Sequence, residues 1–272
     1  MDNTMAMDVG ITPGEFLQYQ RLIYNIAGIS LSDSKQVLVE SRLAKRLKAY
    51  KLNSYKQYFD LISNKREELQ VAVDLLTTNE TYFFREPKHF DFLRNEILSK
   101  HELRKPFRLW SGASSSGEEA YSLGMVMADH FGNLPWEIHG SDLSSRVLEK
   151  ARSGSYLIER ANNIPDKYLK NYCMKGIGRK EGTFLISPTL RKNITFSQIN
   201  LIESIPDIGL FDVIFLRNVM IYFDTDTKTT VMNRLLKHLQ PGGYFIVGHS
   251  ESLHGMGIKL KTIAPSVYQK ES

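Results

Sequence analysis

Two rhythms of apolar residues divide this chain. Up to about residue 76 they recur every three or four positions, the repeat of an amphipathic helix. Thr12-Pro13-Gly14-Glu15 is a helix start, with a cap threonine, a proline in the first turn and a glutamate three residues after the threonine. Phe16, Tyr19, Ile23 and Ile26 then share one face, and Gly28 ends the helix. Ser32-Asp33-Ser34 precedes a second helix over 36–50, striped by Val39, Leu43, Leu47 and Tyr50. Shorter helices follow over 54–63 and 66–76. From about residue 105 the pattern alternates between short apolar runs and helical stretches. It predicts strands at 107–111, 136–141, 194–198, 211–216 and 243–249, and helices at 118–131, 144–151 and 226–239. Pro241-Gly242-Gly243 is read as the end of the last helix and the opening of the last strand.

This alternation is that of an α/β fold with a parallel, doubly wound sheet, preceded by an all-helical domain. The predicted boundaries are 1–76 for the helical domain and 77–272 for the α/β domain. Residues 172–187 interrupt the rhythm with Gly176, Gly178 and Gly182 around Arg179-Lys180-Glu181. They predict a small antiparallel β subdomain at about 171–199.

Composition narrows the class. With 272 residues, 42% hydrophobic and 24% charged, the chain reads as a globular protein of one large or two modest domains. No apolar run is long enough to span a bilayer and the start is not a signal peptide, so membrane insertion is not expected and a cytoplasmic location is. One cysteine, Cys173, excludes an internal disulfide framework. The seven histidines show no ligand spacing, so no metal site is expected. The net charge of +5 suits an acidic partner. On the helix over 36–50, Arg42, Lys45, Arg46 and Lys48 occupy the faces the apolar stripe leaves, and that face is the expected docking surface.

The chemistry concentrates between Phe107 and Asp142. A strand leads into the small-residue loop Ser111–Gly117, then into a helix opening with Glu118 and Glu119, then into a strand ending at Asp142. A small-residue loop lets a ligand approach the backbone, and an acidic residue ending the next strand can hold the hydroxyls of a ribose. Serines stand where a pyrophosphate loop has glycines, and two carboxylates occupy the helix start where phosphates bind. The combination favours a ligand with a ribose, no phosphate and a cationic group, and S-adenosylmethionine has all three features.

Other segments add polar groups. Thr77–Glu86 joins the halves and carries Asn79, Thr81 and Arg85 among Tyr82, Phe83 and Phe84; Arg85 can grip a carboxylate bidentately. Asn200-Leu201 follows a strand, and Asn200 is placed to bond an adenine edge or a ribose. Arg217, Asn218 and Tyr222 follow the strand 211–216, at the strand ends where open α/β sheets bind ligands. Gly248-His249-Ser250-Glu251-Ser252 imitates a nucleophile elbow, but its last position is not glycine and only His254 follows, so serine hydrolysis is rejected.

Together the segments 76–86, the Ser-x-Gly-Glu-Glu loop ending at Glu119, Ser141-Asp142, Glu149–Tyr156, Asn200-Leu201, Arg217–Phe223 and Gly248–Glu251 resemble the chemotaxis receptor methyltransferases, the CheR family. The resemblance implies a class I, Rossmann-like methyltransferase domain. It implies methyl transfer from S-adenosylmethionine to glutamate side chains in the cytoplasmic helical bundle of chemoreceptors, leaving S-adenosylhomocysteine. It puts Asn79, Thr81, Arg85, Glu119, Asp142, Asn200, Leu201, Arg217 and Asn218 around the cofactor, and Arg85 and Tyr222 at the reacting groups. Tyr222 either orients the incoming carboxylate or holds the cofactor. In some members the β subdomain holds a C-terminal receptor tether peptide, and the spacing of Gly176, Gly178 and Gly182 looks like theirs. A monomer is expected. A cofactor-binding regulator without turnover, or a methyltransferase acting on a non-chemotactic receptor or other acidic partner, is the alternative. A nucleic-acid methyltransferase is disfavoured, because Arg217–Tyr222 stands where such enzymes often carry an Asn-Pro-Pro-Tyr type of loop.

Overall fold

The computed structural model describes residues 10–101 and 106–271. The chain forms two compact units. One runs to Thr78 and includes Tyr222–Asp224; the other takes Asn79–Ile221 and the chain from Thr225 onward.

The first unit contains α1 (Pro13–Ala27), α2 (Gln36–Tyr50), α3 (Tyr55–Asn64) and α4 (Arg66–Leu76). Thr12 and Glu15 close a reciprocal capping box at the start of α1, and Gly28 ends it at φ 69°. Phe16, Tyr19 and Ile23 are buried, but the stripe continues through Ala27 rather than Ile26, which is half-exposed. Both positions lie one turn beyond Ile23, and packing selected the smaller residue. Val39, Leu43 and Leu47 bury the inner face of α2. A polar knot locks α2 to its neighbours: Arg46 donates to both oxygens of buried Glu68 at 2.7 and 2.6 Å, and the hydroxyls of Tyr50 and Tyr58 donate to the same carboxylate at 2.8 and 2.7 Å. Burial alone would raise the pKa of Glu68; these bonds outweigh it and lower it.

The second unit opens with α5 (Pro87–Phe92) and then β1 (Phe107–Gly112), α6 (Glu118–Phe131), β2 (Trp136–Asp142) and α7 (Ser145–Ser153). An excursion follows: β3 (Ser155–Leu157), α8 (Asp166–Tyr172), β4 (Cys173–Lys175), β5 (Thr183–Ile186) and α9 (Pro188–Arg191). The main sheet resumes with β6 (Ile194–Gln198), β7 (Phe211–Leu216), α10 (Thr225–Leu235), β8 (Leu239–Val247), β9 (Leu260–Ala264) and β10 (Val267–Lys270). Its order is β6-β2-β1-β7-β8-β10-β9. The first five strands are parallel; β10 and β9 add an antiparallel edge. The order reverses between β1 and β7, so a crevice is expected beyond their carboxyl ends.

The larger differences from the sequence pattern fall at the last parallel strand, the small sheet and the antiparallel edge. Helix α10 stops at Leu235, and β8 begins at Leu239 and runs through Pro241-Gly242-Gly243. The register against β7 shifts there, and a Cβ on Gly243 would lie 3.0 Å from the Asp212 carbonyl, so these residues form an irregularity within the strand. The small sheet has order β3-β5-β4 and starts at Ser155, while 194–198 belongs to the main sheet, so the subdomain is 155–186 rather than 171–199. Its free edges are β3 and β4; Thr183–Ile186 is central. Strands β9 and β10 were not anticipated, because edge strands need no continuous apolar run. No helix among the described residues is long and apolar enough to cross a membrane.

Candidate active site

The loop after β1 makes a tight, strained curve. Ala113 and Ser115 are left-handed (φ 57° and 50°), and Gly117 has φ 92°. A side chain at Gly117 would meet the Ala151 Cβ at 2.9 Å. Asp142 holds this loop from below. One carboxylate oxygen accepts the Ser115 N–H at 2.8 Å and the other accepts the Ser144 N–H at 2.9 Å. Two backbone amides thus fix the carboxylate's orientation at the end of β2.

Arg217 follows the end of β7 and is 5% exposed. Its Nη1 donates to Glu119 at 3.1 Å, and its Nη2 donates to Glu86 at 2.9 Å and to the Arg85 carbonyl. Ser111 donates to the other oxygen of Glu119 at 2.7 Å. Burial raises the Glu119 pKa despite Arg217 and Ser111, which pull it down, and the negative Glu86 adds to the rise. Burial also works to raise Glu86, but there Arg217, Asn218 and the His249 amide win and lower it. One guanidinium therefore serves two carboxylates. Two carboxyl groups thus share one fixed cation, an environment suited to a cationic ligand.

Glu251 organises the loop after β7. Its oxygens accept the backbone N–H groups of Asn218, Met220 and Gly248, each at 2.8 Å. Asn218 is left-handed (φ 58°) and its Nδ2 donates to Glu86 at 3.2 Å. A Cβ on Gly248 would lie 2.6 Å from that Nδ2 and 2.9 Å from a Glu251 oxygen, so a side chain there would push apart the contacts that hold this loop. The Gly248–Glu251 segment is thus a capping device, and Ser250 is an exposed turn residue.

The Asn79 carbonyl accepts from Ser115 Oγ at 2.9 Å. The Thr81 carbonyl accepts from Arg160 at 2.8 Å, and Arg160 also pairs with fully buried Glu118 at 2.8 Å. Arg85 donates to the Glu80 carbonyl at 3.0 Å and lies over Tyr82, bracing its own loop. Phe83 packs on Tyr156 and Phe184, and Phe84 stacks on Tyr168, so two of the three aromatics are core. Asn200 Oδ1 accepts the Ile202 N–H at 3.3 Å, its Nδ2 donates to Glu203 at 3.0 Å, and Leu201 is buried. Asn79, Thr81, Glu119, Asp142, Arg217 and Asn218 therefore supply groups to one connected set of loops. Tyr222 ends the turn Met220–Tyr222 and groups with the helical unit, where its carbonyl accepts the Ser30 N–H at 2.8 Å.

The basic face of α2 is divided. Arg46 is bound to Glu68, and Arg42 donates to the Leu76 and Thr77 carbonyls and the Thr78 hydroxyl at 3.0–3.1 Å. Lys45 and Lys48 are exposed. The three glycines shape the β4–β5 connection: Gly178 and Gly182 have positive φ, and a Cβ on Gly176 would sit 2.0 Å from the Lys180 carbonyl. Glu86, Glu251 and the Glu118–Arg160 pair escaped the sequence reading as site residues. Glu86 carries one local signal, its place directly before Pro87 at a helix start.

Arg217 Nε and Ser114 Oγ are buried without a hydrogen-bond partner in this acidic setting, which fits a ligand bearing both a cationic centre and polar groups. A parallel sheet that reverses between β1 and β7, with Asp142 ending β2 and an acidic helix start after β1, is the arrangement expected of an S-adenosylmethionine-dependent methyltransferase, and that is the class of this protein. S-adenosylmethionine is its cofactor. The chain belongs to the CheR methyltransferase family: the family's SAM-binding domain matches residues 79–268 and its all-alpha domain matches residues 14–77. It is 38% identical to chemotaxis protein methyltransferase 2 of Pseudomonas aeruginosa over 94% of this chain and 93% of that one. It is 37% identical to the Escherichia coli chemotaxis protein methyltransferase, over 97% and 93% of the two chains. It is 36% identical to that of Salmonella typhimurium, over 97% and 92%.

Proposed function

We propose that this enzyme methylates glutamate side chains in the cytoplasmic helical bundle of chemoreceptors, forming glutamyl methyl esters. The observation that carries the reading is the sharing of Arg217 between Glu119 and Glu86, an anionic frame for a cationic cofactor. The names of its relatives point to chemotaxis. The bound cofactor supplies an electrophilic methyl group on a sulfonium. A glutamate acceptor, with a reference pKa of about 4.3, is already ionised at neutral pH, so the protein needs no general base. Charge disappears as oxygen takes the methyl group, which favours a dry site. The work left to the protein is alignment and water exclusion.

In this reading Asp142 takes the ribose, Glu119 the cationic amine, and Arg217 with Asn218 the polar end of the cofactor. Asn79, Thr81, Asn200 and Leu201 complete the lining. Arg85 and Tyr222 attend the acceptor carboxylate, and Arg85 must leave the Glu80 carbonyl to do so. Residues 1–76 dock the receptor through the exposed Lys45 and Lys48 of α2, while Arg42 and Arg46 hold the helical unit together. A receptor tether peptide adds to β3 or β4, the free edges of the small sheet, with Gly176, Gly178 and Gly182 setting the turn beside β4. The enzyme works in the cytoplasm as a monomer.

The deciding experiment incubates purified protein with methyl-labelled S-adenosylmethionine and receptor-containing membranes. Base-labile label on a receptor-sized protein supports the reading. Cofactor binding without label transfer points to a regulator, and label on another acidic protein moves the substrate.

A further inference from the structure

Among the described residues, the fold gathers two histidines and a carboxylate at one place: Glu86, His89 and His249. Their ligand atoms all lie within 4.8 Å of one another, although His249 is far from the other two in sequence. His89 is 3% exposed, yet neither of its ring nitrogens has a hydrogen-bond partner. A buried imidazole without partners calls for an explanation. An ion pair with Glu86 does not provide it. The Glu86 carboxylate comes within 3.4 Å of Nδ1 but makes no hydrogen bond to it.

We propose that Glu86, His89 and His249 form a binding site for a divalent transition-metal ion of the zinc class. His89 Nδ1 and a Glu86 oxygen stand 3.4 Å apart. Bonds of about 2.0–2.1 Å at tetrahedral angles separate two ligands by about 3.3–3.4 Å, so this pair already has the spacing zinc uses. His249 must close the rest. It is exposed, its ring lies 4.6 Å from that of His89, and rotation of its side chain brings a nitrogen inward. The exposed side leaves a coordination position open to water and an entry path. Two imidazoles and one carboxylate select Zn²⁺, Co²⁺ or Ni²⁺ over Mg²⁺ and Ca²⁺, which prefer all-oxygen sets.

The surroundings orient the ligands. Asn218 Nδ2 and the His249 N–H both donate to the Glu86 carboxylate, at 3.2 and 3.1 Å. Arg217 also binds Glu86 and opposes a cation, but it has a second carboxylate in Glu119. Glu86, Glu119 and Arg217 together are net negative when both acids are ionised, which leaves room for a divalent ion.

The test uses the untagged full chain, without cofactor or receptor, so that its outcome is independent of the methylation reading. Zn²⁺ is titrated against a chromophoric chelator, and Co²⁺ binding is followed by its visible d–d absorption. Saturable binding of a single equivalent with a tetrahedral or five-coordinate Co²⁺ spectrum is expected. His249→Ala, on the surface, should weaken it by at least about tenfold, while His254→Ala should leave it unchanged. His89→Gln, checked for folding by near-ultraviolet circular dichroism, should lose it as well. No saturable binding, or equal affinity in wild type and His249→Ala, overturns the proposal.

Discussion

Arg217 and Glu86 lie 131 residues apart in the chain and meet at 2.9 Å, with Glu119 on the guanidinium's other arm. The planar fork of arginine allows this double engagement; a lysine ammonium has no matching geometry. Arg217→Lys should therefore loosen both carboxylates while keeping the charge. Calorimetry should show S-adenosylhomocysteine affinity reduced by at least about tenfold, the equivalent of one or two charge-assisted hydrogen bonds. Unchanged affinity would remove Arg217 from the cofactor site.

Asp142 has one observed task and one proposed task, and they can be separated. It ties the Ser111–Gly117 loop to the start of α7 through two amides, and it is assigned to the ribose. Asp142→Ala should lower cofactor affinity by about 2–3 kcal/mol. It should also lower the unfolding free energy by about 1–3 kcal/mol, because the Ser115 and Ser144 amides lose their acceptor. A stability loss with unchanged affinity would leave Asp142 a purely structural clamp.

Cofactor binding should carry the signature of Glu119. Its pKa is raised by burial, and a cationic ligand prefers the ionised form. Protons then compete with the ligand above the usual carboxyl range, so affinity falls as pH drops toward the raised pKa rather than only near pH 4.3. In the ligand-free protein the sign reverses. The folded state binds this proton more tightly than the unfolded state, so the Glu119 contribution to stability declines as pH rises from the unfolded pKa to the raised one. Glu119→Gln should flatten the affinity profile measured by calorimetry between pH 5 and 8; an unchanged profile assigns the titration elsewhere.

The two kinds of cation on α2 should behave oppositely. Lys45→Glu with Lys48→Glu should weaken receptor methylation most at low salt, where exposed charges act at longest range, and leave cofactor affinity intact. Equal methylation at low salt removes the docking role. Arg46→Ala should instead destabilise the helical unit by roughly 2 kcal/mol, since buried Glu68 loses its charged partner. Calorimetric unfolding reads that loss.

Acid should release the same knot. Glu68 has its pKa lowered by the bonds from Arg46, Tyr58 and Tyr50, so its stabilising contribution is full above the unfolded carboxyl pKa and disappears as pH falls through the depressed one. Glu68→Gln should remove that part of the acid transition in the unfolding curve.

Sequence by itself determined the elements whose cause is local. The Thr12–Glu15 box and Gly28 set the ends of α1, because caps act within one turn. The stripe Val39, Leu43 and Leu47 set the buried face of α2, because helical period is a property of the backbone. The strand–loop–helix–strand run to Asp142 was legible for the same reason, and it pointed to the cofactor. Tertiary structure alone decided which charges were spoken for. Arg46 and Lys45 look alike in a charge pattern, but only Arg46 finds a buried carboxylate, on α4, 22 residues away. Glu86 reads as a residue before a proline until β7 delivers Arg217 and the loop after β8 delivers His249 to it. Strand β10 likewise took its pairing from β8, and β9 from β10, which a half-exposed run cannot announce. Ion pairs and strand pairing depend on distance in space, and a linear pattern carries that distance only within a helical turn or a strand repeat.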